Sequence, residues 1–286
     1  MTDDKKLPRA AVLRINKCLR NESDTLDLSH IPLETVPEQL RELTGLRELR
    51  LYLTGIPESL GDLTPLTHLR LDGELTGLPG WLGDLTTLTE LRLDGNRLTE
   101  IPDWLGNLTA LTHLQLSKNR LTRLPDSIGD LTALTRLYAW NNQLTRLPDS
   151  LGNLTALNDL GLDDNRLTEI PDSLGNLTAL TRFTLRTNQL TEAPECLGNL
   201  SALYLLALSS NELTGLPDSL GNLTGLKYLY LRHNRLTDLP EWLGDLTDLK
   251  QLDVSGHRPP PTVPDSLRRL ARTSSRWRRF LATLNQ

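Results

Sequence analysis

The sequence predicts a right-handed α/β solenoid, with a curved parallel sheet on its concave side, short helical turns on its convex side and a helical cap at each end. Three observations carry this expectation. One leucine-spaced pattern returns every 23 residues. Within it, apolar and polar residues alternate with the period of a half-buried strand. Aromatic residues make up only 4% of the 286-residue chain, so leucine must supply the burial, as in a thin repetitive core.

The period is anchored by Leu88, Leu111, Leu134, Leu157, Leu180, Leu203, Leu226 and Leu249. Residues Leu111 to Ala133, LTHLQLSKNRLTRLPDSIGDLTA, form one complete copy. Eleven units can be laid end to end from Ser23; those starting at Leu46 and Leu66 are shorter, and the one starting at Leu249 is longer before its proline. In each strand the leucines face inward, as with Leu114 and Leu116, Leu160 and Leu162, and Leu229 and Leu231. The residues between them, such as His113, Gln115 and Ser117, face out. One unit cannot bury its leucines alone, so neighbours must stack, with every strand running the same way. An asparagine column (Asn96, Asn119, Asn142, Asn165, Asn188, Asn211 and Asn234) is expected to turn inward, donating and accepting along the stack where the chain leaves the strand. The following Leu-Pro-Asp-Ser-Leu-Gly begins the convex side, with proline starting a short helical turn and glycine ending it.

This pattern resembles the leucine-rich-repeat family, and most closely its intracellular 23-residue type, found in Ras-pathway scaffold proteins and many bacterial repeat proteins. The resemblance covers roughly residues 23–270. It implies the solenoid fold and places function in the variable positions. The chain divides into an N-terminal cap helix over 1–22, a solenoid of eleven units over 23–270 and a C-terminal cap segment over 271–286. The first cap rests on an amphipathic stretch with Ala11, Ile15, Cys18 and Leu19 on one side. The second rests on Trp277, Phe280, Leu281 and Leu284.

A net charge of -5 argues against nucleic acid as the main partner, because phosphate binding needs a basic face. The charge is uneven: from Arg258 onward there are seven arginines and one acid, Asp265. Cys18 and Cys196 give neither a disulfide framework nor a metal spacing and read as reduced thiols. The start lacks the apolar stretch of a signal peptide, and no apolar run is long enough to span a membrane. The expectation is a cytoplasmic monomer, and the Asn-Leu-Thr triplets are by-products of the repeat. Nearly every residue is assigned to a repeat or a cap, and no phosphate loop or Ser-His-Asp set is present, so neither catalysis nor a cofactor is expected. His68, Glu90 and His113 share one outward column; an ordinary polar ladder is favoured over a metal site, because the two imidazoles lie about 10 Å apart at strand spacing.

The outward columns divide the concave face. The N-terminal half is a mesh of arginines beside aspartates and glutamates. The C-terminal half carries Tyr138 and Trp140 on one strand and Tyr228 and Tyr230 four strands later. Gly161, Thr184 and Ala207 lie between them, predicting a shallow trough. Arg136, Arg182, Arg186 and Arg232 rim it with Asp159 and Asp163, and Leu205 is expected to add exposed apolar surface. Tyrosine, tryptophan and arginine dominate binding hot spots, so these fourteen residues form the candidate site for a protein or peptide partner. On the convex side Trp81, Trp104 and Trp242 replace the usual serine, with local packing favoured over a second interface.

Overall fold

The computed structural model describes residues 8–34, 38–55, 63, 65–273 and 277. Eleven strands form one parallel sheet in sequence order: β1 (Thr25–Leu33), β2 (Glu48–Leu53), β3 (His68–Gly73), β4 (Glu90–Arg92), β5 (His113–Gln115), β6 (Arg136–Tyr138), β7 (Asp159–Gly161), β8 (Arg182–Thr184), β9 (Leu205–Ala207), β10 (Tyr228–Tyr230) and β11 (Gln251–Asp253). The sheet curves, with short 3-10 turns such as Asp126–Asp130 and Asp149–Asn153 on its convex side. The repeat dictates the register: Leu114 pairs with Leu137, Leu137 with Leu160, and Leu160 with Phe183. Leu114, Leu116, Leu160, Leu162, Leu229 and Leu231 are all buried, as expected.

The asparagine column is the polar spine. Asn165 Oδ1 accepts the Leu144 N–H at 3.0 Å, while its Nδ2 donates to Ala139 O at 2.9 Å and to Leu162 O at 3.0 Å. The same three contacts recur at the other six positions, so each amide joins its own unit to the one before it.

His257 ends the column. It is buried, and Val254 O lies 2.8 Å from its Nδ1, but its Nε2 has no partner among the described residues. An asparagine there would accept the Leu236 N–H by the spacing of the ladder. His257→Asn should therefore raise stability by about 1–3 kcal/mol. Burial, the largest influence, holds the imidazole below its ordinary pKa. The unfolded chain then binds the proton first, so the parent is most stable above about pH 6.5 and loses stability as the pH falls below it, and the advantage of the asparagine variant widens in that window. Urea unfolding from pH 5 to 8 checks both effects; a variant no more stable than the parent would remove the ladder argument.

The convex turns correct one expectation. Proline does open the turns from Gly80–Asp84 onward: Pro125, with φ -71° and ψ 153°, precedes Asp126–Asp130, and its carbonyl accepts the Ile128 N–H. Glycine ends only the last turn, Glu241–Gly244; in the turns from Gly80–Asp84 to Asp218–Asn222 it lies one residue inside, as Gly129 does. A Cβ on Gly129 would stand 2.6 Å from Ser150 O, and one on Gly152 would stand 2.3 Å from Ser173 O. The glycine column exists because adjacent turns stack backbone on backbone. Trp104 and Trp242 lie over Gly83 and Gly221 in the same way. With Trp81 they are half-buried against the core, which agrees with local packing.

Left-handed backbone recurs where the chain leaves each strand, at Lys118, Asn141, Asp164, Thr187, Ser210 and His233, with glycine at 95 and 256. At the N-terminus, α1 (Arg9–Arg20) packs on β1, burying Ala11, Ile15 and Cys18, with Leu19 half-buried. At the other end, α2 (Asp265–Thr273) begins at a repeat of the Pro-Asp-Ser-Leu motif and takes the convex position of the eleventh unit. Glu241 holds its start by accepting the Asp265 and Ser266 N–H groups. Trp277 is buried; Phe280, Leu281 and Leu284 lie outside the described residues.

Candidate functional site

The sheet carries two electrostatic environments. From β2 to β4 the outward arginines are paired with carboxylates. Arg50 meets Glu48 at 2.6 Å, Arg70 meets Asp72 at 2.7 Å, and Arg92 meets Glu90. They line a cleft of about 270 Å³ together with His68. His68 Nε2 lies 3.8 Å from Glu90, while Thr67 and Thr112 hydroxyls engage the Nδ1 atoms of His68 and His113. Burial, then the Arg136 charge, lowers the His113 pKa. No metal-binding cluster of three or more histidine, cysteine, aspartate or glutamate residues occurs among the described residues.

From β6 to β10 the pattern changes. The candidate residues occupy adjacent strands, and the small residues expected to floor a shallow trough are covered by their larger neighbours. The Tyr138 ring lies on Gly161, where an added Cβ would stand 2.9 Å from Tyr138 Cδ1. The Tyr138 hydroxyl donates to Asp159 at 2.8 Å, and its pKa is pushed up to about 12 by burial, that hydrogen bond and the Asp159 charge. Arg186 reaches across β9 to the Tyr230 ring, its guanidinium carbon 5.2 Å from the centroid. Beneath these groups Gly161, Thr184 and Ala207 are buried.

Leu205 is also corrected: it is 8% exposed, not open apolar surface. The register sets it between Arg182 and Tyr228, whose larger side chains flank it. The surface is therefore made of rings and cations, not of a small-residue floor. Trp140, Tyr228 and Tyr230 are partly exposed, and Arg136, Arg182, Arg186 and Arg232 are exposed. Asp159 accepts from Tyr138 and lies 3.5 Å from Arg182. Asp163 accepts the Arg186 N–H at 2.6 Å, and burial pushes its pKa up.

Three contributors lie outside the outward columns of the sequence reading. Tyr204 is exposed and meets the Tyr228 ring edge-on at 5.1 Å; Tyr228 in turn stacks on Tyr230. Lys227 sits over Tyr204 and Lys118 over Trp140, at 5.4 Å and 4.9 Å from the ring centroids. The Tyr204 signal was present: from residue 47 onward its column otherwise holds Arg47, Thr67, Thr89, Thr112, Thr135, Asn158, Thr181, Lys227 and Lys250, none of them aromatic. A larger cleft, about 520 Å³, runs along the Leu-Pro turns away from the sheet face. There Arg123 and Arg146 alternate with Asp103, Asp126, Asp149 and Glu169, so neither sign dominates. Both cysteines are free, with thiol pKa values raised chiefly by burial, and neither is poised as a nucleophile.

The repeat, its parallel sheet and its asparagine spine define a leucine-rich-repeat solenoid. The family model described as leucine-rich repeat region matches residues 82–195 and 151–255, and the chain belongs to that family. No match was found among curated proteins. Among solved structures, the chain is 37% identical to the leucine-rich-repeat ectodomain of the plant receptor kinase GASSHO1/SCHENGEN3 from Arabidopsis thaliana, solved with CASPARIAN STRIP INTEGRITY FACTOR 2. That match has a TM-score of 0.69 and covers 78% of this chain and 29% of the ectodomain. It is 25% identical to the functional domain of InlJ from Listeria monocytogenes, with a TM-score of 0.61, over 84% of this chain and 54% of that one. A third match, from the octameric complex of latrophilin 3, Unc5D and the FLRT2 leucine-rich-repeat domain, is 26% identical with a TM-score of 0.70, over 82% of this chain and 74% of that one. The chain thus spans under a third of the receptor ectodomain and about half of the InlJ domain. Family members of this kind are generally non-catalytic interaction modules. No described helix is long and apolar enough to cross a membrane.

Proposed function

We propose that this chain is a non-catalytic scaffold that holds a protein or peptide partner on its concave face, over β6 to β10. The observation that carries this reading is the row of partly exposed rings, each pre-set by a neighbour: Lys118 on Trp140, Tyr204 against Tyr228, and Arg186 on Tyr230. Side chains already held in place lose less freedom on association. The partner site comprises the exposed and partly exposed members of the fourteen sequence-predicted residues, with Tyr204, Lys118 and Lys227 added; Gly161, Thr184, Ala207 and Leu205 are buried and support it from below. The 23-residue period supports an intracellular, cytoplasmic protein of the bacterial group, acting as a monomer with α1 and the C-terminal segment as caps. A second reading, an exported effector or recognition protein using the same face, draws on the likeness to a receptor ectodomain and to the InlJ domain. A secretion assay in the native cell separates the two.

Trp140→Ala should weaken partner binding by more than about tenfold, as expected for a truncated aromatic anchor, while its outward position spares the fold. The partner is captured from the native cell, and its affinity is then measured by calorimetry alongside melting curves. Unchanged affinity in a well-folded variant would remove this site and move the search to Trp81 and Trp104 on the convex side.

A further inference from the structure

The two halves of the concave sheet treat their cations in opposite ways. In β2 to β4 each outward arginine has a carboxylate partner. From β6 onward the outward carboxylates are engaged by other donors, and among the described outward cations Arg182 alone has one within ion-pair distance. Asp163 turns inward to the Arg186 N–H and Asp253 to the Ser255 N–H, while Asp159 takes the Tyr138 hydroxyl. Lys118, Arg186 and Lys227 lie instead on ring faces. Arg232 directs its Nε to His233, and Arg136 stands exposed beside Tyr138. None of these five cations is within ion-pair distance of a carboxylate among the described residues, and Arg182 meets Asp159 only at 3.5 Å. On this face Asp164 is exposed and Asp159 and Asp163 are partly exposed, while the other exposed acids of these units, such as Asp149, Glu169 and Asp172, lie on the turns away from the sheet.

A ring holds a cation in position without using up its N–H donors, because the attraction is to the π face. A carboxylate partner would consume those donors and cancel the charge. The result is a row of oriented cations without direct ion-pair partners on a chain whose net charge is -5. The cations run from Lys118, just after β5, to Lys227 and Arg232 on either side of β10, five strand spacings or about 24 Å, which an extended segment of about seven residues spans. Aromatic rings between the cations offer surface to the aliphatic stems of such a segment.

Taking the concave face as the binding face, we infer that it receives an acidic segment: an extended stretch of a protein partner rich in aspartate and glutamate, lying across β6 to β10. The carboxylates meet Lys118, Arg136, Arg186, Lys227 and Arg232, and specificity against basic segments follows from the same charges.

The test uses the full chain and a fluorescent octaglutamate peptide, with octalysine and octathymidylate as comparison probes. Octaglutamate should bind at low salt and lose affinity by at least about tenfold between ~50 mM and ~500 mM salt, as screening weakens exposed charge pairs. Arg186→Ala combined with Lys118→Ala should weaken binding about tenfold or more, with melting curves confirming the fold. Arg50→Ala, in the compensated half, should leave binding unchanged. Hydrogen exchange should place the peptide's protection on β6 to β10.

Protection over the arginine-rich stretch after Arg258 would overturn the inference. So would octathymidylate binding as tightly to the same strands, because the surface would then select polyanions and not acidic peptide. No octaglutamate binding at low salt overturns the acidic partner alone if a native partner still protects β6 to β10. If that partner instead protects the convex turns, the concave reading fails with it.

Discussion

Leu160→Ala is expected to lower stability by about 2–5 kcal/mol, the range for a buried leucine that leaves a cavity. Leu160 is fully buried in β7, with Leu137 and Phe183 as its register partners on either side. Phe183 is among the largest fully buried side chains, and its ring fills a position where the other strands place leucine. Both flanking residues belong to neighbouring units held by the asparagine ladder, which limits collapse into the void. A solenoid is coupled through nearest neighbours, so the damage should concentrate around β6 to β8 before it reaches the ends. Denaturant unfolding measures the total, and hydrogen exchange read strand by strand measures the distribution. Uniform loss of protection from β1 to β11 would show that the sheet unfolds as one cooperative block.

The parts of this fold legible in the sequence are those fixed by repetition. A leucine that returns every 23 residues can only stack on its counterpart, so burial and register followed from spacing. The inward asparagine was legible for a related reason: one polar residue in an apolar column must satisfy backbone groups, and the ladder around Asn165 does so. The glycine role was misread because spacing cannot tell a turn-ending glycine from one required by close approach. That distinction depends on the neighbouring unit's backbone, as at Gly129 against Ser150.

The candidate site was legible as composition but not as shape. Outward columns named Tyr138, Trp140, Tyr228, Tyr230 and the arginines correctly as surface-facing positions. They could not reveal that Tyr138 lies down on Gly161 or that Arg186 spans a whole strand to reach Tyr230. Long side chains choose among rotamers by what their neighbours leave open, and a small residue next to an aromatic one is an invitation to cover it. Leu205 was misjudged for the same reason, because its flanking residues Arg182 and Tyr228 are larger. Tyr204 lies one residue before its strand, outside the alternating outward columns, although it is the one aromatic residue among the threonines, asparagine and basic residues of its own column from Arg47 onward.

Gly152→Ala separates the two explanations for the convex glycines. If glycine were kept for a special backbone conformation, a methyl group would act through strain at that residue. Gly152 is not among the glycines with positive φ, which are Gly73, Gly95 and Gly256. A Cβ there would instead meet Ser173 O at 2.3 Å and Ser173 Cβ at 2.8 Å. Relief requires the next turn to move, since the obstructing oxygen is backbone and has no alternative rotamer. The expected loss is about 1–3 kcal/mol, the usual cost of overpacking. Gly215 supplies the control: it precedes a Leu-Pro turn, is exposed, and has nothing within 4 Å of an added Cβ. Gly215→Ala removes freedom mainly from the unfolded chain and should stabilise by about 0.4–1 kcal/mol. Opposite signs for the two alanine substitutions, measured by urea unfolding under one set of conditions, are the result that the stacking argument requires. A Gly152→Ala variant as stable as the parent would mean that adjacent turns have room to part.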